Sequence, residues 1–217
     1  ATFQHLVQLY PATFCYCFFH PKIGLWMGAT PEKLLKANEN VFETMALAGT
    51  QKDNLQTEIV WQQKEKEEQQ FVTDFIVKRL REFTASVVVS EPYSLKAGSI
   101  WHIRTDISGV LKDKSTLEEV IDTLHPTPAV CGLPKKKAKA FITENENYDR
   151  TFYSGFLGEL NRSITGNNVS SDLFVNLRCM QIQENKAILY MGCGITKESI
   201  PEKEWEESVN KSMTMKR

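Results

Sequence analysis

An apolar stripe recurs at helical spacing through Val72, Phe75, Ile76, Leu80 and Phe83, and it predicts one long helix over residues 55–83. The apolar runs on either side are short and rich in aromatic or β-branched residues, the composition of strands. A helix of that length must lay its stripe on something, and short strands supply the surface. The chain therefore reads as an α+β domain.

The strands expected are residues 13–19 (TFCYCFF), 23–28, 42–47, 86–89 and 100–107. Residues 173–181 and 187–192 alternate like partners around a turn at Glu184-Asn185-Lys186. Thr30-Pro31-Glu32 has the form of a helix start, with a capping hydroxyl, a proline suited to the first position and an acid in the first turn. Residues 117–123 and 136–143 are expected to be helical, and Ser199-Ile-Pro-Glu202 fits the capping box of a last helix. Residues 125–134 (HPTPAVCGLP) hold too much proline for either element and are too apolar for a loose linker. No repeat, low-complexity tract or linker breaks the run, so residues 1–217 form part of a single domain.

Composition excludes several classes. Lys plus Arg is 26 and Asp plus Glu is 27, which leaves no basic excess for nucleic acid. Four Trp, twelve Phe and six Tyr exclude disorder. Charge, Pro or Gly interrupts every long apolar stretch, so no transmembrane helix is expected, and the first ten residues lack the regions of a signal peptide. The five cysteines show no metal-ligand spacing and read as reduced thiols of a cytoplasmic protein.

Followed backwards, the helical stripe reaches Glu68 and Glu65. Carboxylates facing inward need a cation or a donor, although the same charge run also suits a solvated helix end. The last helix repeats the pattern with Glu204, Glu207 and Lys211 on one face, while Trp205, Val209 and Met213 mark another, taken as the packed one. Two such pairs could hold a hard divalent cation such as Mg²⁺; surface pairing of Glu207 with Lys211 is the plainer alternative. Gly192-Cys193-Gly194 would let backbone amides approach an anion, or form a tight turn. Arg178, inside an apolar run, must meet an anion if it is buried. His102 and His125 suit structural roles.

Taken in order, Gly28-Ala-Thr-Pro-Glu-Lys-Leu-Leu35, Ala46-Leu-Ala-Gly-Thr50, the acidic helix, Trp101-His102, the 125–134 segment, Tyr148-Asp-Arg-Thr-Phe-Tyr-Ser-Gly155, Leu177-Arg178 and the run from Gly192 to Lys211 resemble the chorismate-binding enzymes. The resemblance spans nearly the whole chain. It implies two packed β-sheets flanked by helices, Mg²⁺ as cofactor and chorismate as substrate, with no nucleic-acid or membrane partner. Within the family, Ala129 in His-Pro-Thr-Pro-Ala-Val is similar to isochorismate synthases, whereas aminating and salicylate-forming relatives tend to carry Thr nearby.

By the same resemblance, Glu32 is the general acid, and Glu68 and Glu207 are Mg²⁺ ligands with Glu65 and Glu204 acting through water. Tyr153, Arg178, Gly192, Gly194 and Lys211 bind substrate carboxylates, and Gly49, Thr50, His102 and Ala129 line the ring. The implied reaction adds water at C2 of chorismate as the C4 hydroxyl departs with a proton from Glu32. A lysine that activates the water sits, in the family, on a strand upstream of every segment found here. The resemblance thus implies a C-terminal portion of the catalytic domain, inactive by itself and prone to self-association through an uncovered sheet edge. A salicylate, anthranilate or aminodeoxychorismate synthase, or a non-catalytic module binding Mg²⁺ and carboxylates, are the alternatives. Menaquinone and siderophore biosynthesis are both open as the destination.

Overall fold

Two antiparallel sheets share the chain, and it crosses between them at two neighbouring points. The computed structural model describes residues 2–53, 59–97, 100–165 and 168–216. After helix α1 (Thr2–Leu9) come β1 (Phe14–His20), β2 (Gly24–Thr30), β3 (Lys33–Asn38) and β4 (Val41–Lys52). Helix α2 (Gln63–Leu80) leads to β5 (Thr84–Val89), β6 (Tyr93–Ala97) and β7 (Ile100–Leu111). Three helices follow: α3 (Leu117–Leu124), the single turn α4 (Pro128–Cys131) and α5 (Lys135–Asn145). The chain ends with β8 (Phe156–Thr165), β9 (Asn168–Val175), β10 (Cys179–Gln183), β11 (Lys186–Tyr190) and α6 (Pro201–Ser212).

The small sheet has the order β1-β2-β10-β11; the large one runs β5-β7-β4-β3-β9-β8, with β6 also on β7. The stripe of α2, through Val72, Ile76 and Leu80, packs with Phe42, Ala46, Ile107, Val120 and Leu124 into the main core. Trp26, Tyr16, Tyr153 and Tyr190 fill one side of the small sheet, and Leu6, Met27, Met180 and Met215 the other. Among the described residues no helix is long and apolar enough to cross a membrane.

Several local expectations are corrected. Thr30-Pro31-Glu32 starts no helix: Thr30 Oγ1 donates to Val175 O at 2.6 Å and the chain enters β3, whose Leu34, Leu35 and Ala37 are all buried between β4 and β9. Residues 173–181 are not one strand. They divide between β9 in the large sheet and β10 in the small one, because Arg178 adopts the left-handed φ of 48° and Asn176 turns inward to accept from Tyr16 Oη and donate to Phe152 O. The Ser199 capping box does not form, since Ser199 Oγ accepts from Thr196 N and Ile200 takes the cap position; a capping box forms instead at Thr116 and Glu119. The 125–134 segment does contain one helical turn, α4. Helix α2 begins at Gln63, and the expected start near Leu55 lies outside the described residues.

The last helix is reversed relative to expectation. Glu204 is its buried residue, 4% exposed, while Trp205 is 73% exposed and Val209 and Met213 also face out. The carboxylate stripe, not the apolar one, faces the rest of the molecule.

Candidate active site

Both crossovers open into one cavity. Val175 N donates to Glu32 O at 2.9 Å and Ala29 N to Arg178 O at 3.1 Å, so the link carrying Glu32 and the link carrying Arg178 are laced together. Their side chains enter a cavity of about 170 Å³ walled also by Gly49, Thr50, Glu68, His102, Ala129, Tyr153, Gly192, Gly194 and Lys211.

Burial governs the charges here. Glu32 is 5% exposed, and desolvation raises its carboxyl to about 7 despite the opposing pull of Arg178 and Lys211. At neutral pH it is substantially protonated, the state of a proton donor. His102 is pushed the other way, to about 3, by burial and by the positive charges of Arg178 and Lys211. Its Nδ1 lies 3.2 Å from Gly49 O and from Thr50 Oγ1. Because a carbonyl can only accept, Nδ1 carries the proton and Nε2 accepts from Arg178, 3.4 Å away. His102 is thus a neutral ring in the cavity wall. His125 lies outside the cavity and donates from Nε2 to Ser154 O at 3.0 Å.

Arg178 is buried and, among the described residues, no carboxylate reaches ion-pair distance of its guanidinium. A desolvated guanidinium left without an anion is a site for one. Lys211 Nζ donates to Gly192 O at 3.1 Å and pairs with Glu207 at 2.6 Å.

Of the four acidic positions, Glu68 lines the cavity and Glu65, Glu204 and Glu207 do not, although Glu204 and Glu207 lie close enough to act on the Glu68 carboxyl. Lys64 forms an ion pair with Glu204 across the two helices. Burial raises the Glu68 carboxyl, and the charge of Glu207 raises it further. Burial also works to raise Glu204, but hydrogen bonds from Lys64 and Ser199 outweigh it and hold the group below the ordinary range. Gly194 packs directly on Glu68: a Cβ there would stand 2.5 Å from Oε1. Glu65 lies against Gly49, whose φ of 72° makes a bulge in β4 where a Cβ would press on Glu65 at 3.0 Å. One Glu65 oxygen, Oε2, is buried with no hydrogen-bond partner. Among the described residues no three His, Cys, Asp or Glu side chains are closed into a metal cage. Mg²⁺ takes carboxylate oxygens, often only one or two, and keeps water on its remaining positions; Glu68 and Glu207, close enough for the charge of one to raise the other, are the residues that could hold it.

Sequence reasoning assigned no role to Glu146, Tyr148, Arg150 and Tyr190, which also line the cavity. The i, i+4 spacing of Glu146 and Arg150 was the available signal, since they pair at 2.5 Å.

Residues 1–217 match the family described as chorismate binding enzyme, and the chain belongs to that family. It is 31% identical over 201 residues to isochorismate synthase EntC of Escherichia coli (strain K12), covering 88% of this chain and 50% of that protein. It is 32% identical over 201 residues to isochorismate synthase DhbC of Bacillus subtilis (strain 168), covering 88% and 49%. Among solved structures, MenF, the menaquinone-specific isochorismate synthase from Escherichia coli, superposes with a TM-score of 0.83 at 29% identity over 99% of this chain and 51% of that one. The chain thus spans about half the length of the curated relatives it matches, and the two-sheet α+β architecture is theirs.

Proposed function

We propose that this chain carries the chorismate site of an Mg²⁺-dependent isochorismate synthase. The observation that carries the reading is the pairing, in one cavity, of a buried acid whose carboxyl is raised to about 7, Glu32, with a buried guanidinium, Arg178, that has no carboxylate partner among the described residues. Arg178 and Lys211, with the Gly192 and Gly194 backbone and the Tyr153 hydroxyl, bind the substrate's carboxylates. Thr50, His102 and Ala129 hold the ring. Water adds at C2 while Glu32 gives its proton to the C4 hydroxyl, which leaves as water, so the net change is a transposed hydroxyl. Glu68 and Glu207, supported by Glu65 and Glu204, hold Mg²⁺, which when bound supplies positive charge to the substrate's ring carboxylate.

The proton of the attacking water needs an acceptor. Among the described residues of the cavity none is suited: His102 is too weakly basic, Lys211 is engaged with Glu207 and Gly192, and Glu146 is paired with Arg150. Residues 1–217 by themselves are therefore expected to bind chorismate without converting it. Lysines 135–137 do not fill the gap, since none of them lines the cavity.

The test is titration of the chain with chorismate, with and without Mg²⁺, followed by Tyr and Trp fluorescence and by product chromatography. Saturable binding that Mg²⁺ strengthens and that Arg178→Gln weakens by tenfold or more supports the reading. Absence of binding overturns it, and brisk turnover would show that a base lies within these residues. Where turnover is restored by a lysine-bearing strand, isochorismate is the expected product; salicylate, pyruvate or an aminated ring would overturn the assignment resting on Ala129.

A further inference from the structure

Two arginines line the cavity in opposite circumstances. Among the described residues Arg178 has no carboxylate partner, whereas Arg150 is committed on all three of its nitrogens. Nε donates to Glu146 Oε2 at 2.6 Å and one terminal nitrogen to Glu146 Oε1 at 2.5 Å, a two-pronged pair. The other terminal nitrogen donates to Val130 O at 3.1 Å and Ser154 Oγ at 3.2 Å. The guanidinium carbon also lies 5.5 Å from the Tyr153 ring centroid. Val130 adjoins Ala129 and Ser154 adjoins Tyr153, so one side chain spans both walls of the cavity. It also braces a turn in which Thr151 and Ser154 adopt left-handed φ values of 46° and 62°.

We propose that the Glu146–Arg150 pair is a positioning device for the chorismate site, fixing the gap between the Ala129–Val130 wall and Tyr153 and withholding the second guanidinium from the ligand. The inference rests on the reading given under Proposed function. Chorismate carries two carboxylates, and a cavity with two free guanidiniums could accept it in two orientations. Glu146 cancels one of them. Only the orientation anchored on Arg178 then remains, beside Glu32.

The experiment is chorismate titration, with Mg²⁺ present, of the chain and its variants, each checked for folding by its melting temperature. In the parent, Arg178→Gln should weaken binding by tenfold or more. In the Glu146→Gln background, the freed Arg150 should take over, so that Arg178→Gln weakens binding by less than about threefold. Glu159→Gln, which breaks the surface pair with Arg162, should leave both results unchanged. An equal loss in the two backgrounds overturns the proposal, because a merely structural ion pair would not change the ligand's dependence on Arg178. If Glu146→Gln does not fold, Arg150→Lys serves: it keeps the charge and loses the fork, so about tenfold weaker binding at an unchanged melting temperature supports the device, and unchanged binding overturns it. Failure of the parent itself to bind chorismate would instead refute the underlying reading, and is recognised because no substitution is involved.

Discussion

Glu32 shows how position rather than residue type makes an acid. A carboxyl moved from an ordinary 4.5 to about 7 stays protonated in the fold over a range where the unfolded chain has released its proton. Its stabilising contribution is complete below 4.5 and is lost as pH rises through 7. Glu32→Gln should therefore be more stable than the parent at pH 8, by on the order of 3 kcal/mol, and the advantage should shrink towards pH 5 in paired urea titrations. In a turnover-competent protein the same substitution should abolish kcat and spare chorismate binding, because the amide keeps the shape without the proton. Near-normal turnover would move the acid role elsewhere. The sequence offers Glu32 only through its resemblance to a family motif. Its burial depends on Thr30 meeting Val175, 145 residues further on, and no local pattern reveals that.

At the scale of elements, α2 was legible and α6 was not. The α2 stripe is apolar at its far end, so the inward face could be followed back to Glu68 and Glu65. Helix α6 offers two stripes, and hydrophobicity chose the wrong one: apolar residues are free to lie on surfaces, whereas buried carboxylates are there for a reason. The pairing across β10 and β11 was read correctly because its turn is local, while the break between β9 and β10 came from Arg178 and Asn176 serving the crossover. Two substitutions measure these contrasts. Ile76→Ala, in the core beneath α2, should cost about 2–5 kcal/mol, whereas Trp205→Gln on α6 should change stability by less than about 0.5 kcal/mol in the same denaturation assay. Gly49→Ala should cost about 1–3 kcal/mol, since alanine is strained at the bulge and presses on Glu65.

For the molecule as a whole, the α+β class and the motifs could be read from the chain, and the two packed sheets followed from the family resemblance. Which strands join which sheet could not be read, since β8 carries no clear alternation and both crossovers depend on distant contacts. The cavity lies where those crossovers meet, so its residues come from every third of the sequence. The reversed packing of α6 has a further consequence. The described residues of this helix bury little besides Glu204, and its firmest apolar anchor, Met215, lies beyond its end. A helix tethered by charge at one side and by a single methionine at its exit should open without the sheets opening with it. Amide hydrogen exchange should then be faster across residues 201–212 than across 63–80, and Mg²⁺ should slow it there first. Equal protection of the two helices, untouched by Mg²⁺, would refute this. Half of the proposed metal ligands thus belong to a part of the molecule ready to leave, and binding the ion would become a way of finishing the fold.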